Sequence, residues 1–248
     1  MFKTMEKVQN EKEMKKTQVF NVIILDRSGS MECIRRAAVD GFNETLAGIK
    51  KAQQDFAETQ EHYVSLVTFC SCKTQHVFDK TPVADAHPLT MEDYQPCCCT
   101  PLYDAMGMTL TAMRSHVERI EDAVVVVTII TDGMENASRE YTKKSIKALV
   151  EHLRDEGWTF TYMGANQDSV EVATSLSIRN SRNFAYNEEG TRATMRKDSS
   201  TRLNFFSRLA SFKMAELSCE CEQPLSAEER RNRYTRMADT AFDEEEEK

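Results

Sequence analysis

Several things are missing from this 248-residue sequence, and each argues against a class of function. There is no long hydrophobic run: the longest, AVVVVTII at 123 to 130, falls far short of the roughly 20 residues that cross a bilayer. The opening MFKTMEKVQNEKEMKKTQ has no apolar centre and no small-residue cleavage site, so neither a signal peptide nor a membrane anchor is expected, and a cytoplasmic location is. There is no excess of positive charge. A formal net charge of −8 and a pI near 5.3 argue against a nucleic-acid partner, because binding to phosphate depends on a basic surface. The one basic cluster, Arg230, Arg231, Arg233 and Arg236, is followed directly by an acidic run. Finally, there is no C-x-x-C pair among the eight cysteines, which fall at Cys33, Cys70, Cys72, Cys97, Cys98, Cys99, Cys219 and Cys221. Without export they read as reduced thiols, and a structural zinc site normally wants paired spacing. A phosphate-cradling glycine loop is missing as well.

What is present is an alternation. VFNVIIL (19 to 25) is a short, almost wholly apolar run of the kind that forms a strand covered on both faces. Apolar residues then recur at Ile34, Ala38, Phe42, Leu46, Ile49, Ala52 and Phe56, in steps of three or four, which predicts an amphipathic helix. Further strands are expected at YVSLVTF (63 to 69), HVF (76 to 78), VVVVTII (124 to 130), WTFTYMG (158 to 164) and NFAYN (183 to 187). Helices are expected from Pro101 to about Arg119, from Ser138 to Glu156, and over DSVEVATSL (168 to 176). Strands alternating with such helices predict an α/β, doubly wound, mostly parallel sheet with helices on both faces.

The expected organisation is a polar N-terminal tail (1 to 18), an α/β domain (19 to 187) and a helical C-terminal extension (188 to 248) ending in an acidic tail. Within the extension a helix is expected over 200 to 216 and another after PLSAEE, where Ser226 and Glu229 make a capping-box pattern.

In an open α/β sheet, ligands sit at the carboxyl ends of the strands. Three segments should arrive there: Asp26-Arg27-Ser28-Gly29-Ser30, the loop delivering Thr100, and Thr131-Asp132-Gly133. They offer short oxygen-bearing side chains and no histidine. Hard oxygen ligands of this kind suit Mg²⁺, with Mn²⁺ or Ca²⁺ as less specific alternatives. Hydroxyls bound directly and carboxylates acting partly through water would leave one coordination position for an outside oxygen.

The set Asp26-x-Ser28-x-Ser30, then Thr100, then Asp132 in TDG resembles the metal-ion-dependent adhesion site, or MIDAS, of von Willebrand factor type A domains, over roughly residues 19 to 187. TPLYDA and GANQD point to the intracellular bacterial branch that includes tellurium-resistance-associated proteins. The resemblance implies a six-stranded sheet in the order 3-2-1-4-5-6 with strand 3 antiparallel. It also implies Ser28, Ser30 and Thr100 as direct ligands, Asp26 and Asp132 as direct or water-mediated ones, and a partner protein whose acidic residue completes the metal shell. Asn166, Gln167 and Asp168 would rim the site, or would simply form a strand-to-helix loop. In place of the small residues or glycines common before that threonine, this chain has Cys97, Cys98 and Cys99.

Other readings remain for these residues. The Asp-x-Ser-x-Ser loop could be a capped turn, and Thr100 a helix cap before proline. Cys70 and Cys72, at the end of the second strand, could come near the triplet at the same sheet edge, so a thiolate metal site or redox pair competes with plain loop packing. An enzymatic alternative is a Mg²⁺-dependent phosphatase using Asp26, but that chemistry wants a second acid two residues on, and position 28 is Ser. The histidines suggest no catalytic arrangement, and no enzyme activity is expected. The run Asp243 to Glu247 could occupy the metal site of its own or a neighbouring copy, giving self-association; the plainer reading is a solvating tail.

Overall fold

Every other element is built around β1 (Thr17–Asp26), whose residues are nearly all buried. The computed structural model describes residues 15–165, 169–185, 187–218 and 225–243. β1 pairs in parallel with β2 (Gln60–Cys70) on one side and β4 (Ala123–Thr131) on the other. β5 (Thr159–Gly164) and β6 (Asn180–Asn183) extend the β4 side in parallel, and β3 (Lys73–Pro82) closes the β2 side antiparallel. The order is therefore β3-β2-β1-β4-β5-β6. Successive side chains of a strand point to opposite faces, so parity decides what each residue meets. Phe20, Val22 and Ile24, with Val125, Val127 and Ile129, pack under α2 (Leu102–Val117) and α3 (Lys143–Asp155). Ile23, Leu25 and Ile130 face the other way, under α1 (Arg35–Asp55). A short helix α4 (Ser169–Ser175) joins β5 to β6.

The two C-terminal helices, α5 (Glu188–Ser218) and α6 (Ala227–Asp243), lie on the α1 face. Phe205, Phe206, Leu209, Tyr234 and Phe242 pack there on Val19, Val124, Val126 and Ala52. α5 approaches α1 closely because α1 carries glycines where they meet: a β-carbon on Gly41 would stand 1.6 Å from Met195 Sδ, and one on Gly48 would stand 2.7 Å from Ser199 Oγ. Two polar clusters tie α5 and α6 down. Arg202 donates to Thr128 Oγ1 (2.6 Å), Asn21 Oδ1 (3.3 Å) and Asp198 Oδ2 (2.8 Å) in the middle of the sheet. At the opening of β4, Asp122 accepts from Thr17 Oγ1 (3.0 Å), Lys213 Nζ (2.5 Å) and Tyr234 OH (2.9 Å).

Some boundaries differ from the sequence reading. β3 is ten residues rather than the short HVF, because antiparallel pairing with β2 supports polar residues that carry no apolar signal. The last strand is Asn180–Asn183, reaching only the first residue of NFAYN; it is an edge strand with polar side chains, and the buried Phe184 follows it. α5 begins at Glu188, well before residue 200, where Asn187 Oδ1 accepts the Gly190 N–H (2.8 Å). α3 begins at Lys143, with Thr142 and Ser145 forming a capping box, because residues 132 to 141 are spent on a loop. The Ser226–Glu229 capping box forms at the head of α6. Among the described residues no helix is long and apolar enough to cross a membrane.

Candidate metal centre

β1, β2 and β4 run in one direction, so their carboxyl ends open on one edge of the sheet. Asp26 is the last residue of β1 and is fully buried. Its Oδ1 accepts the Ser28 backbone N–H (2.7 Å) and its Oδ2 accepts the Thr131 hydroxyl (2.6 Å). Burial pushes the Asp26 carboxyl up to about 6; the hydrogen bonds from Thr131 and Ser28 pull it down, and the neighbouring Asp132 charge adds to the rise. A divalent cation beside it would offset that cost and hold it ionised.

After Asp26 the chain turns into a 3-10 turn (Gly29–Ile34). Ser28 and Ser30 lie with their hydroxyl oxygens 3.1 Å apart, and Ser30 Oγ donates to Asp132 Oδ1 at 2.8 Å. Gly133 shows how the remaining groups converge: a β-carbon there would stand 3.1 Å from Thr100 Oγ1, 3.6 Å from Ser30 Oγ and 3.8 Å from Asp26 Oδ2. The five residues named from sequence, Asp26, Ser28, Ser30, Thr100 and Asp132, thus meet at one point from three loops. Oxygens held at about 2.1 Å around an octahedral ion lie about 3.0 Å apart along each edge. The Ser28–Ser30 and Ser30–Asp132 separations bracket that value, and the donors are all oxygen, so the set fits a small hard cation such as Mg²⁺.

Thr100 is not a helix cap. Pro101 holds the cap position of α2, and no side chain caps there. Thr100 instead pairs both ways with Asn136: its N–H donates to Asn136 Oδ1 (2.9 Å), and its carbonyl accepts the Asn136 N–H (3.1 Å). The first-turn N–H groups of α2 go to the β4–α3 loop, Tyr103 to Glu135 Oε2 (2.8 Å) and Asp104 to Ser138 Oγ (3.0 Å). The Asp104 carboxylate returns the favour by accepting the N–H groups of Arg139, Glu140 and Tyr141.

Sequence reasoning missed these supports, and it missed Tyr94. That ring is buried in the long loop before Thr100, and its hydroxyl donates to the Asp26 carbonyl. The loop is pinned to α1 by Asn43, which exchanges hydrogen bonds with both backbone groups of Leu89, and by Arg35, which donates to the Tyr94 and Met91 carbonyls. The only sequence signal was a tyrosine and an asparagine at unremarkable positions. The expected rim residues Asn166, Gln167 and Asp168 lie outside the described residues, as do Cys219, Cys221 and the acidic tail from residue 244. His62 is buried far from this edge, at the start of β2, with Nε2 against Gln60 Oε1 (2.9 Å).

No family model and no characterised protein matches the sequence. Solved structures do match. The pilus adhesin SpaC of Lactobacillus rhamnosus GG superposes with a TM-score of 0.57 at 14% identity, over 77% of this chain and 32% of the adhesin. Proximal thread matrix protein 1 of the mussel byssus, in the form whose MIDAS motif holds zinc, gives a TM-score of 0.50 at 14% identity, over 76% of this chain and 46% of that one. The chain has the fold of a von Willebrand factor A-type domain. It spans less than half the length of either protein, and at this identity the likeness extends to fold alone.

Proposed function

We propose that this chain is a divalent-cation-dependent protein-binding module: Asp26, Ser28, Ser30, Thr100 and Asp132 hold one Mg²⁺, and a carboxylate from a partner protein completes the shell. The observation that carries this reading is the convergence of Thr100, Ser30 and Asp26 oxygens around Gly133, with Ser28 and Asp132 each within hydrogen-bond distance of Ser30. The ion supplies a positive charge at a surface where an acidic side chain can reach it. The protein's own groups set the geometry, with Thr131 and the Ser28 N–H orienting Asp26, and Asn136 holding the Thr100 backbone.

Two features favour a macromolecular partner over a small substrate. The depression beside the site, lined by Asp132, Met134, Tyr162 and Val172 among others, holds only about 30 Å³. Met134, next to Asp132, is 68% exposed and offers an apolar contact at the rim. The phosphatase alternative asks Asp26 to act as a nucleophile, yet both its oxygens are engaged and it has no exposed surface. The zinc-bearing MIDAS of the mussel neighbour supports the metal reading, and TPLYDA and GANQD support kinship with the intracellular tellurium-resistance-associated branch.

Calorimetric titration with Mg²⁺ and Mn²⁺ tests the metal, and affinity capture with wild type and Asp132→Ala, each in Mg²⁺ and in EDTA, tests the partner. One ion bound by wild type and lost in Asp132→Ala, with a protein captured only by wild type in Mg²⁺, is the expected result. Equal binding in all four capture samples would remove the metal from recognition. Magnesium-dependent phosphoester turnover abolished by Asp26→Asn would favour the enzyme instead.

A further inference from the structure

Beside the oxygen site stands a second, chemically opposite constellation. Cys70 ends β2, and the tight turn Ser71–Cys72 leads into β3. The Cys97–Cys99 segment is laid between this turn and the Arg27–Gly29 loop by four hydrogen bonds. Cys97 N–H donates to the Arg27 carbonyl (2.9 Å), Gly29 N–H to the Cys98 carbonyl (3.0 Å), Ser71 N–H to the Cys99 carbonyl (2.9 Å), and Cys99 N–H to Ser71 Oγ (3.1 Å). Cys98 adopts a left-handed backbone with φ of 62°, which non-glycine residues rarely do. The outcome is that two triplet sulfurs face the two hairpin sulfurs: Cys70 to Cys97 at 3.3 Å and Cys72 to Cys98 at 2.9 Å. The sulfurs of Cys72, Cys97 and Cys98 all lie within 4.8 Å of one another.

We propose that Cys70, Cys72, Cys97 and Cys98 form a thiolate site for one Zn²⁺, separate from the oxygen site. Zinc binds thiolates at about 2.3 Å in a tetrahedron, which places its sulfur ligands about 3.8 Å apart. Cys72, Cys97 and Cys98 already stand within reach of one ion, and the Cys72–Cys98 separation is well beyond the roughly 2.05 Å of a disulfide; Cys70, held 3.3 Å from Cys97 but outside that group of three, supplies the fourth sulfur by turning inward. The site also has the surroundings a thiolate cluster needs. Arg27 Nη2 lies 3.4 Å from Cys70 Sγ and offsets negative charge. Zinc would displace the thiol protons to solvent, and the exposure of Cys72 and Cys98 gives it a direct path in. The missing C-x-x-C spacing is no obstacle, because the fold assembles ligands from two segments 26 to 27 residues apart.

The consequence is mechanical. Zinc would staple the β2–β3 turn to the segment that leads directly into Thr100, fixing from the soft side a loop that also serves the hard-cation site.

The test uses the full chain, purified under reducing conditions without chelator. Zinc content is read by mass spectrometry of the metal, followed by Co²⁺ exchange and absorption spectroscopy. The expected result is one zinc per chain and a thiolate-to-cobalt charge-transfer signature, both retained in Asp132→Ala. In Cys72→Ser/Cys98→Ser, with unchanged circular dichroism, affinity should fall beyond the roughly 10–100-fold that loss of an outer-shell partner costs. Failure of the oxygen-site reading would leave these results untouched. Freely titrating thiols with no zinc, zinc binding unchanged in the double variant, or an intact mass showing Cys70–Cys97 or Cys72–Cys98 disulfides in place of metal would each overturn the proposal.

Discussion

The guanidinium of Arg202 and the carboxylate of Asp198 meet at 2.8 Å with only 2% and 1% of their side chains exposed, one turn apart on α5 and directly over the sheet. The pair is incompletely satisfied: Arg202 Nε and Asp198 Oδ1 find no hydrogen-bond partner among the described residues. Removing one partner leaves an uncompensated buried charge, so Arg202→Met should destabilise by about 3–5 kcal/mol. Replacing both, Arg202→Met with Asp198→Leu, should recover part of that loss, the remainder reflecting Asn21 and Thr128 without their Arg202 donor. Chemical denaturation of the two variants checks the ordering.

Gly133→Ala should separate metal binding from folding. The new β-carbon would stand 3.1 Å from Thr100 Oγ1, so either the hydroxyl or the Asp132 loop must give. Gly133 has no positive φ, and the backbone itself accepts alanine. Mg²⁺ affinity should fall about tenfold, or about 1.4 kcal/mol, with little change in thermal midpoint. Calorimetric titration beside a melting curve reads both.

The α1–α5 contact predicts a different response at Gly41. Alanine there collides with Met195 Sδ at 1.6 Å, and overpacking of this kind costs about 1–3 kcal/mol. Met195→Ala should partly rescue Gly41→Ala, and a double-mutant cycle measures the coupling.

His62 sets an acid limit on stability. Burial, with the nearby Arg202 charge, lowers its pKa from 6.5 to about 3. Below pH 6.5 the unfolded chain takes up a proton that the folded chain refuses until about pH 3, so this group's contribution is intact above pH 6.5 and is lost as pH falls. The slope approaches about 1.4 kcal/mol per pH unit within that window. His62→Gln should flatten unfolding free energy against pH between 6 and 4 by one proton equivalent, measured by urea denaturation.

Much of this architecture was written in apolar runs. β1, β4 and β5 announce themselves because parallel strands buried on both faces need continuous apolar sequence, and α1 because one face alone needs it. The five oxygen-bearing residues were legible because short polar residues at strand ends have few other uses when three such segments share an edge. Their supports were not: Asn136, Tyr94 and Glu135 act through isolated hydrogen bonds, mostly to backbone, which leave no periodic trace. Nor did α5 declare its role. It was expected only as a helix over 200 to 216 in an extension, whereas Arg202 answers Asn21 and Thr128, two polar side chains inside apolar strands whose need for a partner was the overlooked clue. The gathering of four thiols likewise depends on a tertiary path that spacing alone does not describe.

The placement of α5 and α6 has a practical side for anyone cutting or fusing this gene. A fragment ending at Asn187 would keep all six strands and the five candidate ligands, yet it would bare the strip formed by Val19, Ala52, Val124 and Val126 and strip Asn21 and Thr128 of Arg202. Such a truncation should collect as inclusion bodies, while a boundary drawn beyond α6 should yield tractable protein. The helices that composition sets apart as an appendage act as the keel of the domain: away from the edge where the candidate ligands gather, and covering the apolar strip of the sheet.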